Sequence, residues 1–116
     1  MQIIKVKHGK SAQYLDMPNF VYCARCLGGF EVSPLGNPFK VGRDGTLPEV
    51  LDKYEEWLRS AIKTVPAVQA AFSALTEDSI LGCWCCNKPS AGDKPWSCHC
   101  DVIAYVYRSC GDMIFK

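Results

Sequence analysis

The chain has almost no net charge and no long apolar segment. Its 116 residues include 13 Lys and Arg against 12 Asp and Glu, and the formal charge of +1 provides no overall field that would attract nucleic acid. No segment approaches the roughly 18 consecutive apolar residues of a membrane span. The lysine-containing start does not resemble a secretory signal. We therefore expect a cytoplasmic protein that binds no membrane.

Several standard functional motifs are also missing. The phosphate-binding patterns GxGxxG and GxxxxGK[ST] are absent. No Ser-His-Asp arrangement and no pair of catalytic carboxylates can be recognised. The function must therefore be sought in other residues.

What the chain does have is cysteine, with eight residues in all. In a short secreted protein this number would indicate a set of disulfides, whereas in a reducing compartment it indicates a metal site or catalysis. Because no secretory signal is evident, we expect the cysteines to be reduced.

The pattern of apolar residues predicts a single α/β domain over residues 1–116. Short segments rich in β-branched and aromatic residues predict strands at 2–6, 19–23 and 79–84. Helical segments separate these strands, which indicates a small sheet of three or four strands with helices packed against it. An apolar fraction of 48% with 22% charged residues is typical of one globular core.

Three helices are predicted. The first begins at Thr46, which forms a capping box with Glu49, and its apolar residues recur at helical spacing to residue 61. The second follows residue 64. The third runs from residue 98 or 99 to residue 109, with Gly111 as its stop and residues 113–115 as a frayed end or an extra strand.

Six metal-binding side chains fall between positions 83 and 100, in the segments CWCC and SCHC. On the third strand Cys83 and Cys85 point to the same face, and the next helix begins near Cys98 and His99. Ligand sites gather where strand ends and helix starts meet at the edge of an α/β sheet. The pattern predicts a zinc site of Cys83, Cys85, Cys98 and His99, with Cys86 and Cys100 as substitutes. A reactive thiol site and simple burial of the cysteines are the alternatives.

Cys23 and Cys26 form a CxxC pair at the end of the second predicted strand. They are further reserve ligands, which can complete a metal site with Cys98 or Cys100 or form a half-site of their own. A redox pair like that of thioredoxins is not favoured, because two glycines and a loop stand where a helix would have to follow.

The first function that these residues predict is that of a small zinc-binding protein with a pocket for a nucleotide or other anionic ligand and a binding or regulatory role. The alternative function is an enzyme that acts on a nucleotide or nucleobase. At a helix N-terminus the Cys98 thiol would face unpaired backbone amides, which favour a nucleophilic thiolate or a bound anion. Alternatively, zinc with an open position would activate water, with Asp101 assisting as base. Asp101 can also orient His99 or simply complement the helix dipole.

A glycine-rich segment between residues 27 and 45 predicts a functional loop. Asn37 offers an amide, and Arg43, with Asp44 beside it, can bind a carboxylate or phosphate through two hydrogen bonds. Asn37, Arg43 and Asp44 are therefore candidate residues for binding a nucleotide or another small anionic ligand. Equally, Asn37 and Asp44 can stabilise turns while Arg43 pairs with Asp44 or Glu49.

A nucleic-acid or protein interaction module is a third hypothesis. It rests on Lys88, Lys94 and Trp96 in and beside the loop between the cysteine segments. The simpler interpretation of these residues is a solvated loop.

Several motifs between residues 20 and 107 resemble those of one known family. SPLGNPF, GRDGT, KYEEWL, LGCWC and CHCDVIA are similar to motifs of the small bacterial and phage proteins grouped as domain of unknown function 4326. The resemblance implies site residues at Asn37, Pro38, Phe39, Arg43, Asp44, Trp57, Cys83, Trp84, Cys85, Cys98, His99 and Asp101.

The chain departs from this family pattern at two points. Cys100 stands where the family has glycine, and the loop after Cys85 is longer and contains the additional Cys86. Both departures leave the fourth metal ligand open. Since the family's name assigns no activity, the resemblance implies a site but no substrate.

Overall fold

The computed structural model describes residues 1–7, 9–24, 29–30, 32–84, 96 and 98–115, and for residues 110–115 it describes the backbone only. The described residues form, in order, β1 (Gln2–Lys5), α1 (Ser11–Leu15), β2 (Phe20–Tyr22), α2 (Leu47–Thr64), α3 (Pro66–Ser73), β3 (Ile80–Cys83) and α4 (His99–Phe115). The strands form one sheet in the order β1-β3-β2, and both pairings are parallel. The predicted α/β class is confirmed. No helix within the described ranges is long and apolar enough to cross a membrane.

Two elements differ from the sequence predictions. Helix α1 has five residues and none of them is buried, so the apolar periodicity that reveals a helix is absent. Helix α4 continues through Gly111 to Phe115, so Gly111 is not its stop and residues 113–115 do not form a strand. A glycine lowers helix stability by about 1 kcal/mol but ends a helix only where it adopts the left-handed conformation.

Helix α2 begins where the sequence predicts. The Thr46 amide donates to the Glu49 Oε1 atom at 3.0 Å, and the Thr46 hydroxyl donates to the same oxygen at 2.8 Å. Together with the first amides of the helix these groups complete a capping box. The apolar face then buries Val50, Leu51, Tyr54, Leu58, Ala61 and Ile62.

The core lies between one face of the sheet and the three longer helices. Helices α2, α3 and α4 contact one another, and α4 also contacts β3. The largest fully buried side chains include Tyr54, Phe72, Leu58, Ile62, Leu81 and Ile103. Burial of an apolar side chain of this size contributes about 1.5–3 kcal/mol. This packing holds the beginning of α4 against the end of β3.

The other face of the sheet carries aromatic side chains. Tyr22, which pairs in register with Gly82, stacks on Phe30 with the ring centroids 4.3 Å apart. The indole Nε1 of Trp84 donates to the Tyr22 hydroxyl at 2.7 Å. Glycine is required at position 82, because a Cβ there would lie 2.6 Å from the ring of Phe20.

Candidate functional site

Two cysteines meet at the carboxyl edge of the parallel sheet. Cys83 is the last residue of β3, and Cys23 directly follows β2. Because Tyr22 pairs with Gly82, Cys23 lies beside Cys83, and its amide donates to the Gly82 carbonyl at 2.9 Å. Both side chains are fully buried. The parallel register therefore brings together two thiols that are sixty residues apart in the chain.

Helix α4 brings two further cysteines to the same edge. Cys98 immediately precedes α4, and Cys100 lies in its first turn. The Sγ atoms of Cys83 and Cys98 are 3.5 Å apart. The Sγ atoms of Cys83, Cys98 and Cys100 all lie within 4.8 Å of one another. This group of three thiols, which we call the thiol centre, can hold a metal ion.

Cys23 lies next to the thiol centre. Its thiol is a hydrogen-bonding neighbour of the Cys100 thiol. It also contacts the Val21 carbonyl, with the Sγ atom 3.4 Å from the oxygen. Cys23, which the sequence predicts as a reserve ligand, thus lies next to the three thiols.

The chemistry of the thiol centre fits a soft metal ion. Burial raises the pKa of the Cys100 thiol well above its ordinary value, and hydrogen bonds with Cys23, Cys83 and Cys98 raise it further. The Cys100 thiol therefore retains its proton unless a positive charge replaces it. A divalent ion supplies that charge and favours the thiolates. Sulfur ligands are those that zinc and other thiophilic ions prefer.

His99 is close to the thiol centre but faces elsewhere. Its Nε2 atom is hydrogen-bonded to the backbone carbonyl of Cys23. A carbonyl only accepts, so Nε2 is the ring nitrogen that bears hydrogen. The imidazole meets the Tyr54 ring edge to face, with the centroids 5.5 Å apart. Among the described residues, only Cys83, Cys98 and Cys100 form a group of metal-binding atoms within 4.8 Å of one another, and His99 is outside that group.

Asp101 caps the beginning of α4. Its Oδ2 atom accepts a hydrogen bond from the Cys98 amide at 3.3 Å, while its own amide donates to the Cys98 carbonyl at 3.1 Å. The Asp101 side chain is fully buried. This geometry corresponds to the simpler interpretation of Asp101, in which the carboxylate complements the amides of the first turn.

An open cleft of about 490 Å³ adjoins the thiol centre. The start of α4 contributes Cys98 and His99 to its lining, and the end of β3 contributes Trp84. The glycine-rich loop contributes Asn37, Phe39, Lys40 and Val41, and the remainder consists of Ala24, Leu47, Val50 and Leu51. Apolar and aromatic groups with a few polar atoms are the usual lining of a small-molecule site.

The three candidate ligand-binding residues take up turn contacts in the loop. Asn37 Oδ1 accepts a hydrogen bond from the Phe39 amide at 2.9 Å. The Arg43 Nη2 atom lies 2.7 Å from Asp44 Oδ2 and donates to the Pro38 carbonyl at 3.0 Å. Hydrogen bonding to Arg43 lowers the pKa of Asp44 below its ordinary value. Asn37 lines the cleft, whereas Arg43 and Asp44 are outside the lining and hold the turn that follows it.

Several predicted site residues lie outside the described residues. They are the preferred ligand Cys85, the reserve ligands Cys86 and Cys26, and the loop residues Lys88 and Lys94. Trp96 is described: it is 9% exposed and packs against Tyr105 with the ring centroids 5.5 Å apart. The indole therefore belongs to the core and is not an exposed surface for stacking.

Tyr54 and Lys40 are site residues that the sequence analysis did not select. Tyr54 is fully buried, as expected for the apolar face of α2, but its hydroxyl also donates to the Leu35 carbonyl and thereby fixes the loop. Its helical spacing predicts burial and gives no sign of this hydrogen bond. Lys40 follows GNPF directly, and that adjacency is a signal by which it could have been found.

The residues of the thiol centre and of the cleft lie in a part of the chain that matches one known protein family. The family described as "Domain of unknown function (DUF4326)" matches residues 4–109. No curated protein and no solved structure matches the chain significantly. The family match covers nearly the whole chain and includes the region in which the motifs resemble those of this family. The chain therefore belongs to the family of the domain of unknown function DUF4326.

Proposed function

We propose that this protein is a small cytoplasmic zinc-binding protein whose thiol centre supports a neighbouring cleft for a small anionic or nucleotide-like ligand. The observation that supports it most directly is the mutual approach of Cys83, Cys98 and Cys100, whose buried Sγ atoms lie within 4.8 Å of one another. Zinc has no redox chemistry and readily accepts three or four thiolates. Its binding would join β3 to α4.

Metal analysis of the full chain tests the first part of this proposal. Protein purified under reducing conditions is expected to bind about one zinc per chain, as one tetrahedral site requires. The variants Cys83→Ser and Cys98→Ser should lose most of it. Cys110→Ser is the matched control, because position 110 lies about 15 Å along α4 from Cys100 at 1.5 Å per residue. Far less than one zinc in the wild-type protein would contradict the proposal.

The lining of the cleft supports an anionic ligand with a flat apolar part. Phe39 and Trp84 offer aromatic surface, while Lys40, Asn37 and His99 offer a cation, an amide and an imidazole. A planar ring would pack against the aromatic side chains, and an anionic group would pair with Lys40. The volume of about 490 Å³ falls within the usual range for small-molecule sites.

A binding experiment tests this second part. Titration calorimetry with adenosine and guanosine mono- and diphosphates at low salt is expected to detect binding by zinc-loaded protein. Lys40→Ala should weaken that binding by about tenfold or more, the loss expected for a charge-assisted hydrogen bond. Lys63→Ala removes a lysine that does not line the cleft and should leave the affinity unchanged. An equal effect of both variants would exclude a specific role for Lys40.

An enzyme with Cys98 as nucleophile is the second candidate, and one observation favours it. Cys98 immediately precedes α4 and also lines the cleft, so a ligand there would lie close to its thiol. In zinc-loaded protein this candidate requires Cys98 to react with iodoacetamide faster than Cys83 does. Mass spectrometric mapping distinguishes the two candidates, because a zinc-bound Cys98 is protected to the same extent as Cys83.

A further inference from the structure

We propose that Cys23 is the fourth zinc ligand and completes a closed four-cysteine site, while His99 remains outside the ligand set and faces the cleft. This inference rests on the proposed function, since it names the ligands of the same centre. It differs from the ligand set predicted from sequence, in which His99 binds zinc and Cys23 is a reserve.

The register places Cys23 beside the end of β3. The Cys23 amide donates to the Gly82 carbonyl at 2.9 Å, a bond of the last registered pair, Tyr22 and Gly82, so Cys23 and Cys83 each follow that pair directly. Neighbouring strands lie about 4.8 Å apart, and paired residues point to the same face. Zinc–sulfur bonds of about 2.3 Å in a tetrahedron place the sulfur atoms about 3.8 Å apart. The ends of two adjacent strands therefore present Cys23 and Cys83 side by side at one edge of the sheet.

The contacts of the Cys23 thiol are compatible with this role. It is a hydrogen-bonding neighbour of Cys100, which belongs to the thiol centre, although the Cys23 Sγ atom does not lie within 4.8 Å of all three sulfur atoms of that centre. Its other contact, to the Val21 carbonyl at 3.4 Å, is a weak sulfur hydrogen bond. Rotation about the Cα–Cβ bond exchanges this weak contact for a bond to zinc. No solvent competes, since the side chain is fully buried.

His99 is held away from the metal by the proposed ligand itself. Its Nε2 hydrogen points to the backbone carbonyl of Cys23, so that nitrogen has no lone pair for a metal, and neither ring nitrogen joins the group of ligand atoms within 4.8 Å of one another. A group that fixes the backbone of a ligand acts as an outer-sphere partner of the site. The same imidazole lines the cleft. His99 therefore connects the metal site to the cleft without binding the metal.

A closed site has a chemical consequence. Four thiolates fill the tetrahedron of zinc and leave no position for water. Zinc would then stabilise the fold by joining β2, β3 and the start of α4, and it would not activate a nucleophile. Reactions in the cleft, if any occur, would depend on cleft side chains alone.

X-ray absorption at the zinc edge of the zinc-loaded full chain tests the ligand set directly. Wild-type protein is expected to show four sulfur neighbours at about 2.3 Å and no nitrogen or oxygen neighbour. His99→Gln should retain all four. Cys23→Ser should replace one sulfur by a lighter atom and weaken zinc binding more than about 100-fold, beyond the loss caused by an outer-sphere partner. Cys110→Ser is the matched control.

The possible outcomes separate the two proposals. If zinc binds with three sulfur atoms and one nitrogen that disappears in His99→Gln, zinc binding stands and the role of Cys23 is overturned. The role of Cys23 is also overturned if the four sulfur neighbours become three in Cys26→Ser, Cys85→Ser or Cys86→Ser but remain four in Cys23→Ser. If Cys23→Ser does not fold, the spectra of the wild-type protein and of His99→Gln, Cys26→Ser, Cys85→Ser and Cys86→Ser still decide the ligand set. Failure of the wild-type protein to bind zinc refutes both proposals.

Discussion

The Sγ atoms of Cys83 and Cys98 lie 3.5 Å apart although fifteen residues separate them in the chain. One ends the central strand of the sheet, and the other immediately precedes the helix that packs on that strand. Two buried thiols at this distance are held by the packing of α4 against β3. Changes in metal binding and changes in core stability should therefore be linked.

Zinc binding at the thiol centre, as proposed above, should raise the stability of the protein. A ligand at 100 times its dissociation constant stabilises the folded state by about 2.7 kcal/mol. We expect the melting temperature in reducing buffer with excess zinc to exceed that in a strong chelator. The melting temperature of Cys110→Ser should differ between zinc and chelator as much as that of the wild-type protein. The melting temperature of Cys83→Ser should be the same in both. Identical melting temperatures of wild-type protein in zinc and chelator would contradict this prediction.

Loss of the Tyr54 hydroxyl should destabilise the fold. This hydroxyl donates to the Leu35 carbonyl, and both side chains are fully buried. Tyr54→Phe leaves that carbonyl without this donor, which costs about 1–3 kcal/mol when the acceptor is buried. Urea denaturation measures the change in the free energy of unfolding. Tyr14→Phe, at a partly exposed position, should change it much less.

Stability should fall at alkaline pH through the same residue. Burial, and then the neighbouring Cys23, Cys100 and Cys98, raise the pKa of Tyr54 well above its ordinary value of 10.0. The unfolded chain thus releases the proton at lower pH than the folded one. The contribution of neutral Tyr54 to the free energy of unfolding is complete below about pH 10, and it is lost as the pH rises above that value.

Comparison with Tyr54→Phe isolates this effect from the titration of the cysteines. Between pH 8 and 11, the free energy of unfolding should fall more steeply in the wild-type protein than in the variant. Parallel curves for the two proteins would show that Tyr54 does not contribute.

Substitution at the start of α2 should weaken the helix. Thr46→Ala removes the N-cap hydroxyl, and the loss of such a cap typically costs about 1 kcal/mol. Thr64→Ala is the matched control at the other end of α2, where the hydroxyl bonds to the Ser60 carbonyl within the helix. Urea denaturation should show a larger loss for Thr46→Ala. An equal loss in both variants would mean that the capping box adds nothing specific.

A side chain at position 82 should disturb the aromatic face of the sheet. In Gly82→Ala the new Cβ would lie 2.6 Å from the Phe20 ring and 3.0 Å from the Val6 Cγ1 atom. Overpacking of this kind costs about 1–3 kcal/mol. The double variant Gly82→Ala/Phe20→Leu should recover part of the loss, and the coupling energy is measured by a double-mutant cycle. Strictly additive effects would contradict a direct clash.

The main elements of the fold follow from local sequence signals. The short apolar segment at 79–84 predicts β3, and Thr46 with Glu49 predicts the start of α2, because strand burial and helix capping are properties of neighbouring residues. Helix α1 escapes prediction since none of its residues is buried. Gly111 misleads because a glycine ends a helix only where it adopts the left-handed conformation, and α4 continues through this one.

The candidate site is less accessible to sequence reasoning. The cysteine-rich segments identify the region of the thiol centre, but Cys98, His99 and Cys100 are consecutive, and their directions depend on how the chain enters α4. In the fold, Cys98 and Cys100 approach Cys83, and His99 turns to the Cys23 carbonyl. Local periodicity does not predict the directions of these side chains, because packing between helices and strands fixes them.

The sequence by itself determined an α/β domain with soft ligands near residues 83 and 98, since residue type and spacing encode local structure and ligand chemistry. Only the tertiary structure decided that Cys100 joins Cys83 and Cys98, that Cys23 lies beside them, and that a cleft opens next to His99. Those relationships depend on the parallel register of β2 and β3 and on the docking of α4. Both are contacts between residues far apart in the chain, which no local pattern specifies.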